Sequence, residues 1–331
     1  MSRRRLPLRL LVSLGFTALA ACSSGTTRSN FGADDVDAGG GGGGGGGSGG
    51  GGFTDSGTTG PGQDGCSEAA KLVYVVDINN GLHSFYPATL TFKTIGTLSC
   101  PSPGTDELGQ PGTPNSMAVD RSGVAWVNFT SGKLFKVSTT DASCSATSFN
   151  PTKYGTRRVG MGFSSNSAGA KEETLFVTPF NDDPLGGAST GSGLAKIDLG
   201  TFALTQVGDF TNGLGAKPSE LTGTGDGQLF GFFTTSPAKL AEIDKASAGT
   251  PTTGQKTLTG VSTGNAWAFS FWGGDFWFYT SGVSTQNPNE TSKVTQYKKS
   301  GDGSIAVVKS SIGFNIVGAG VSTCAPTTPP K

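Results

Sequence analysis

An aromatic residue recurs through this chain at nearly constant spacing, and that recurrence constrains the fold more than any other feature. It stands at Tyr74, Trp126, Phe176, Phe230 and Trp277, in steps of 52, 50, 54 and 47 residues. Each aromatic sits inside a short apolar run followed by a turn: Leu72-Val73-Tyr74-Val75, Val124-Ala125-Trp126-Val127, Thr174-Leu175-Phe176-Val177, Gln228-Leu229-Phe230-Gly231 and Asp275-Phe276-Trp277-Phe278. A fixed period of about 50 residues is the mark of a repeat architecture, in which no unit buries its apolar faces alone.

Each unit reads as four strands. After each aromatic run comes a second one, at 82–85, 134–137, 194–197, 240–243 and 294–297, and then a weaker third, such as 203–207 and 306–309. Before four of the five aromatics lies a lighter strand, at 116–120, 159–163, 220–224 and 266–271. Small residues dominate two of these, as suits strands crowded around a central channel. Tyr74 has no such strand upstream. The missing one is expected from the other end of the chain, Ile316-Val317-Gly318-Ala319-Gly320-Val321. Four strands per unit, closing on themselves, describe an all-β, five-bladed β-propeller over residues 66–324, with first and last strands sharing one blade. A six-bladed propeller or a two-sheet sandwich are the alternatives.

The run Met117-Ala118-Val119-Asp120-Arg121-Ser122-Gly123-Val124-Ala125-Trp126-Val127 resembles blades of the NHL and streptogramin-lyase-like propellers. The resemblance is one blade deep. Streptogramin-lyase-like propellers use histidine in a metal-dependent site, and nothing beyond the blade matches that here.

The cysteines fit a closed ring. Five are present, and setting Cys22 aside leaves Cys66, Cys100, Cys144 and Cys324, an even number that permits three connectivities. In the propeller topology Cys66 precedes the first strand and Cys324 follows the last, in the same blade, so that pairing is expected. Cys100 and Cys144 end the outer regions of blades one and two and form the second expected pair.

The first 21 residues read as an export signal. Arg3, Arg4, Arg5 and Arg9 precede an apolar stretch from Leu10 to Ala21, too short to span a bilayer. Leu19-Ala20-Ala21-Cys22 resembles the lipobox of bacterial lipoproteins. That resemblance implies cleavage before Cys22 and its acylation, giving a stable anchor, and Ser23 in place of aspartate points to the outer membrane. Residues 22–65 form a tether: positions 39–52 hold 13 glycines broken only by Ser48. Such a segment buries too little surface to offset its ordering entropy and is expected to be disordered, spanning roughly 35–40 Å on average. No strand precedes this Gly run and no Lys-Ser/Thr ends it, so it is no phosphate loop. Residues 325–331, rich in Pro and Thr, are expected to be a disordered tail.

Composition narrows the function. The signal carries four Arg and no acid, leaving 20 Lys and Arg against 24 Asp and Glu, a balance that argues against nucleic-acid binding. His83 is the only histidine, which excludes a zinc site built on two His ligands. It is expected to be structural. No catalytic residue, metal or cofactor is assigned. A ligand face is expected where the long connections 101–115, 178–192 and 280–292 project together. Asn181, Asp182 and Asp183 lie in the second of these, and Trp267 and Trp272 in blade five are its aromatic candidates. Two function classes remain. One is a monomeric, non-catalytic binding module anchored to the membrane by lipid and recognising an envelope protein or glycan. The other is a periplasmic or surface propeller enzyme, a lyase or hydrolase, which a cluster of buried carboxylates at one end of the channel would favour.

Overall fold

The computed structural model describes residues 66–181, 189–282 and 289–329. They form an all-β propeller of five sheets, with three short 3-10 turns among the described residues. Blade one runs from the axis outward as Ile316–Val321, Val73–Asp77, Gly81–Tyr86 and Thr91–Thr97. Blade two is Pro114–Val119, Val124–Phe129, Leu134–Ser138 and Cys144–Ala146. Blade three is Arg158–Ser165, Glu173–Asn181, Leu194–Ile197 and Leu204–Gly208, with Thr190–Gly191 paired to the end of its second strand. Blade four is Ser219–Gly223, Leu229–Phe233, Lys239–Glu242 and Gln255–Thr257; blade five is Ala266–Trp272, Asp275–Ser281, Lys293–Tyr297 and Ile305–Lys309. The sandwich and six-blade alternatives are thereby ruled out. The C-terminal strand supplies the inner strand of blade one, with Val73 opposite Val321 and Val75 opposite Ala319.

The periodic aromatics now have a physical cause. The core is five separate clusters, one at each interface between neighbouring blades. Tyr74 packs between blades one and two, Trp126 between two and three, and Phe176 between three and four. Phe230 packs between four and five, and Trp277 between five and one. Each aromatic thus faces the following blade, and the spacing is the chain length needed to reach the next interface. Alternate residues face the preceding blade, so Val73 and Val75 lie against blade five while Tyr74 and Val76 lie against blade two. A strand covered on both faces reads as continuously apolar rather than alternating. Each buried Phe-sized side chain contributes roughly 2–3 kcal/mol by transfer.

Around the axis the inner strands approach closely. A Cβ at Gly160 would lie 1.9 Å from the Ser219 carbonyl oxygen of the next blade, so only glycine fits there. The inner strands are also sheet edges, whose unpaired N–H and C=O groups are buried and need partners. Short polar side chains from neighbouring blades supply them. Asn128 Oδ1 accepts from Val159 N at 3.1 Å, Thr222 Oγ1 from Phe271 N at 3.2 Å, and Ser292 Oγ from Ile316 N at 3.0 Å. Thr178 Oγ1 donates to the Ser219 carbonyl at 2.5 Å. These bonds cross from blade two to three, four to five, five to one and three to four.

Beyond the ring, the chain stays engaged with blade five. Ala325 is buried, and the Pro326 carbonyl accepts from Gly273 N at 2.7 Å, although a tail was expected from residue 325.

Candidate functional site

A cavity of about 680 Å³ opens where the inner strands begin, at the end of the axis that carries the blade-to-blade connections. Its lining includes Asp106 and Thr113 from the 101–115 connection, Phe180 and Ser189 beside the 178–192 connection, and Thr263 to Trp267 leading into blade five. The expected convergence of the first two connections at one end is therefore present. Gly282 lies at that end too, since Asn265 N donates to the Ser281 carbonyl at 3.0 Å.

Glu220 lies at the floor of this cavity, in the inner strand of blade four and only 3 % exposed. Its Oε2 accepts from Ser116 Oγ at 2.6 Å, and Ser116 Oγ accepts in turn from Met161 N at 3.2 Å. One point on the axis thus joins blades two, three and four. Burial raises the Glu220 carboxyl well above the ordinary glutamate range, opposed by the hydrogen bonds from Ser116 and Met161 N.

Among the described residues, charges of both signs stand at the cavity opening. Arg158 Nη2 lies 3.4 Å from Glu107 Oε2, both partly exposed. Asp106 and exposed Lys217 line the opening, with Asp106 Oδ1 accepting from Leu108 N at 2.9 Å and Gln110 N at 2.8 Å. Trp267 is half-buried in the wall, its ring 5.7 Å from Phe232 in an edge-on contact.

The expected ligand-face residues divide. Trp267 reaches the cavity, but Trp272 lies at the far end of the same strand, buried, with its Nε1 donating to the Lys71 carbonyl at 2.9 Å. A seven-residue strand separates its two ends by roughly 20 Å, so the two tryptophans cannot share a face of the propeller. Trp277 is buried and donates to the Trp272 carbonyl at 3.1 Å. Asn181 is exposed at the end of its strand and donates to the Gly155 carbonyl at 3.4 Å, while Asp182 and Asp183 lie outside the described residues. Cys22 also lies outside them. Glu220 was not singled out from sequence; the signal was a lone acid in a strand, Ser219-Glu220-Leu221-Thr222-Gly223, otherwise free of charge.

At the opposite end of the axis a second cluster closes the ring. Cys66 is bonded to Cys324 with 5.8 Å between Cα atoms, and Cys100 to Cys144 with 4.8 Å, the two expected pairs. Beside the first bridge, Arg121 Nη2 lies 3.3 Å from Cys66 Sγ and its Nη1 donates to Thr323 Oγ1 at 3.1 Å. Glu173 accepts from Arg121 N at 2.8 Å and from Thr323 Oγ1 at 2.7 Å. Burial raises the Glu173 carboxyl to about 7, against the pull of those hydrogen bonds.

His83 is buried in blade one. Its Nε2 lies 2.9 Å from Asp77 Oδ2, its Nδ1 3.1 Å from Thr94 Oγ1, and its ring stacks on Phe314 at 4.0 Å. Burial raises the Asp77 carboxyl, but hydrogen bonds from His83 and from the turn amides of Gly81 and Asn79 outweigh it and hold the group below its usual range. Among the described residues, no three His, Cys, Asp or Glu side chains gather as a metal site.

No family model matches the sequence, and no curated protein matches it. Among solved structures the chain is similar to a protein of unknown function from Bacteroides caccae, at 9% identity and a TM-score of 0.38, covering 75% of this chain and 97% of that one.

Proposed function

We propose that this chain is an exported lipoprotein whose propeller is a non-catalytic binding module, held at the outer membrane through Cys22 and taking its ligand at the channel mouth. The observation that carries the reading is the use of cysteine. Four of the five cysteines form two bridges within the propeller, and the fifth stands in Leu19-Ala20-Ala21-Cys22. Structural disulfides persist in oxidising compartments outside the cytoplasm. A bridged domain behind a lipobox-like run fits an envelope protein, with an envelope protein or glycan as partner. The mouth supports binding because it is concave, of small-ligand volume, and sets polar groups beside an indole wall. Its one buried acid is tied to two other blades by hydrogen bonds, as a positioning group would be.

The test is metabolic labelling with palmitate in a Gram-negative host, beside fractionation of the envelope. Wild type should take up label and sediment with the outer membrane. Cys22→Ser should take up none and move to the soluble periplasmic fraction. Equal membrane partitioning of the two, with no label in either, would refute the anchor.

A further inference from the structure

We propose that the channel mouth is a saccharide site, with Glu220 receiving sugar hydroxyls at the floor and Trp267 forming the platform at the wall. The inference rests on the reading of the propeller as a binding module, and names its ligand class.

Charge excludes the other classes. Arg158 and Lys217 at the rim are matched by Glu107 and Asp106. The floor acid is buried with no cationic partner within ion-pair distance among the described residues, and burial raises its carboxyl well above the ordinary glutamate range. Among the described residues the opening therefore carries both signs of charge and no field of one sign, whereas a charged ligand would lose its hydration. An apolar ligand is equally unsuited, because charged Asp106 and exposed Lys217 at the opening would lose water without replacement. What remains is a neutral ligand rich in groups that both donate and accept.

A sugar hydroxyl is such a group, and a carboxyl can meet it. Glu220 lines the floor, its Oε2 held by Ser116 Oγ. Asn115 lines the same cavity, its amide fixed by Nδ2 donating to Asn128 Oδ1 at 3.1 Å and to the Val159 carbonyl at 3.3 Å. The edge contact with Phe232 fixes the Trp267 ring, whose π face is suited to the C–H side of a pyranose. The volume, about 680 Å³, is of small-ligand size. All of these groups stand on inner strands or their first turns, so the site is rigid before ligand arrives.

The experiment uses the full chain in detergent, titrated with cellotriose, maltotriose and chitotriose by calorimetry and saturation-transfer NMR. At least one trisaccharide is expected to bind, with an affinity that stays constant from about 50 to about 500 mM NaCl, a range over which attraction to a charged ligand is screened. Trp267→Ala should weaken binding at least about tenfold, the size of a lost aromatic contact. If that variant unfolds, Trp267→Phe should still weaken it several-fold. Three results would each overturn the proposal: no binding of any of the three sugars, affinity that falls steeply with salt, or full affinity in the Trp267 variants. Palmitate labelling of the same preparations reports separately on the lipoprotein reading, so failure of the sugar leaves that outcome legible.

Discussion

Ser116 of blade two and Glu220 of blade four, which are not neighbouring blades, meet at the propeller axis through a hydrogen bond of 2.6 Å. Blade three lies between them and joins through Met161 N, 3.2 Å from the same serine hydroxyl. The geometry makes Ser116 the pin of three inner strands. Ser116→Ala removes a donor and an acceptor from a dry site and leaves Met161 N and Glu220 each short of a partner. The expected cost is about 1–3 kcal/mol. Glu220→Gln should cost less than Ser116→Ala, since an amide oxygen can still accept from Ser116 Oγ. Urea unfolding of the three proteins compares them. A larger loss for Glu220→Gln would mean that the acid rather than Ser116 holds the three strands together.

Glu173 gives stability a pH dependence of definite sign. Its folded value of about 7 lies above the 4.5 of an unfolded glutamate, so between those pH values the native state holds the extra proton. Stability contributed by this group is therefore full below about 4.5 and falls as pH rises towards about 7. The size is on the order of 2 kcal/mol, given 1.36 kcal/mol per unit and the partial exposure of the side chain. Glu173→Gln should flatten the difference. The measurement is the gap in unfolding free energy between mutant and wild type at pH 4.5, 6 and 8. A gap that does not change with pH would rule out titration of Glu173 in this window.

Much of this architecture is legible in the sequence, because the interfaces impose it locally. Tyr74, Trp126, Phe176, Phe230 and Trp277 each fill the next interface, so spacing alone marks the blades. The pairing of Cys66 with Cys324 follows once the last strand is placed in blade one. The candidate site is less legible. Glu220 is one acid among 24 in sequence, and only three-dimensional closure places it on the axis beside Ser116, 104 residues away. Trp267 and Trp272 look alike in sequence, yet strand direction sends one to the mouth and the other to the opposite end. Which end of an inner strand faces the cavity is set by the whole ring and has no local signal.

The two disulfides should differ in their effect on stability. Cys66–Cys324 spans 258 residues and Cys100–Cys144 spans 44. Chain-entropy reasoning assigns the first on the order of 5 kcal/mol and the second on the order of 4. The larger difference should be topological. Losing the first frees both chain ends in blade one and removes a contact of Arg121, whereas losing the second releases only outer strands of blades one and two. Cys66→Ser/Cys324→Ser should therefore show the lower melting temperature and faster proteolysis. Equal behaviour of the two double mutants would mean that the strand pairing of blade one closes the ring without covalent help.

The C-terminal strand is the strongest test of closure. Ile316, Ala319 and Val321 are buried in the cluster between blades one and five, and their backbone pairs with Val73–Asp77. Ser292 Oγ accepts from Ile316 N, and Ser322 Oγ donates to the Ala70 carbonyl at 2.7 Å. Deleting residues 314–331 removes all of these, together with Cys324, and exposes the edge of Val73–Asp77 beside the axis. Deleting only 326–331 removes the Pro326 carbonyl that accepts from Gly273 N, a loss of about 1 kcal/mol. The longer truncation is expected to aggregate or to melt far below wild type, and the shorter to melt within a few degrees of it. Thermal unfolding of the three chains at matched concentration reads the difference. If the 314–331 deletion melts with the other two, the ring does not depend on its last strand, because a blade stripped of Gly318 and Gly320 would then pack against Pro114–Val119 as well as the intact one does.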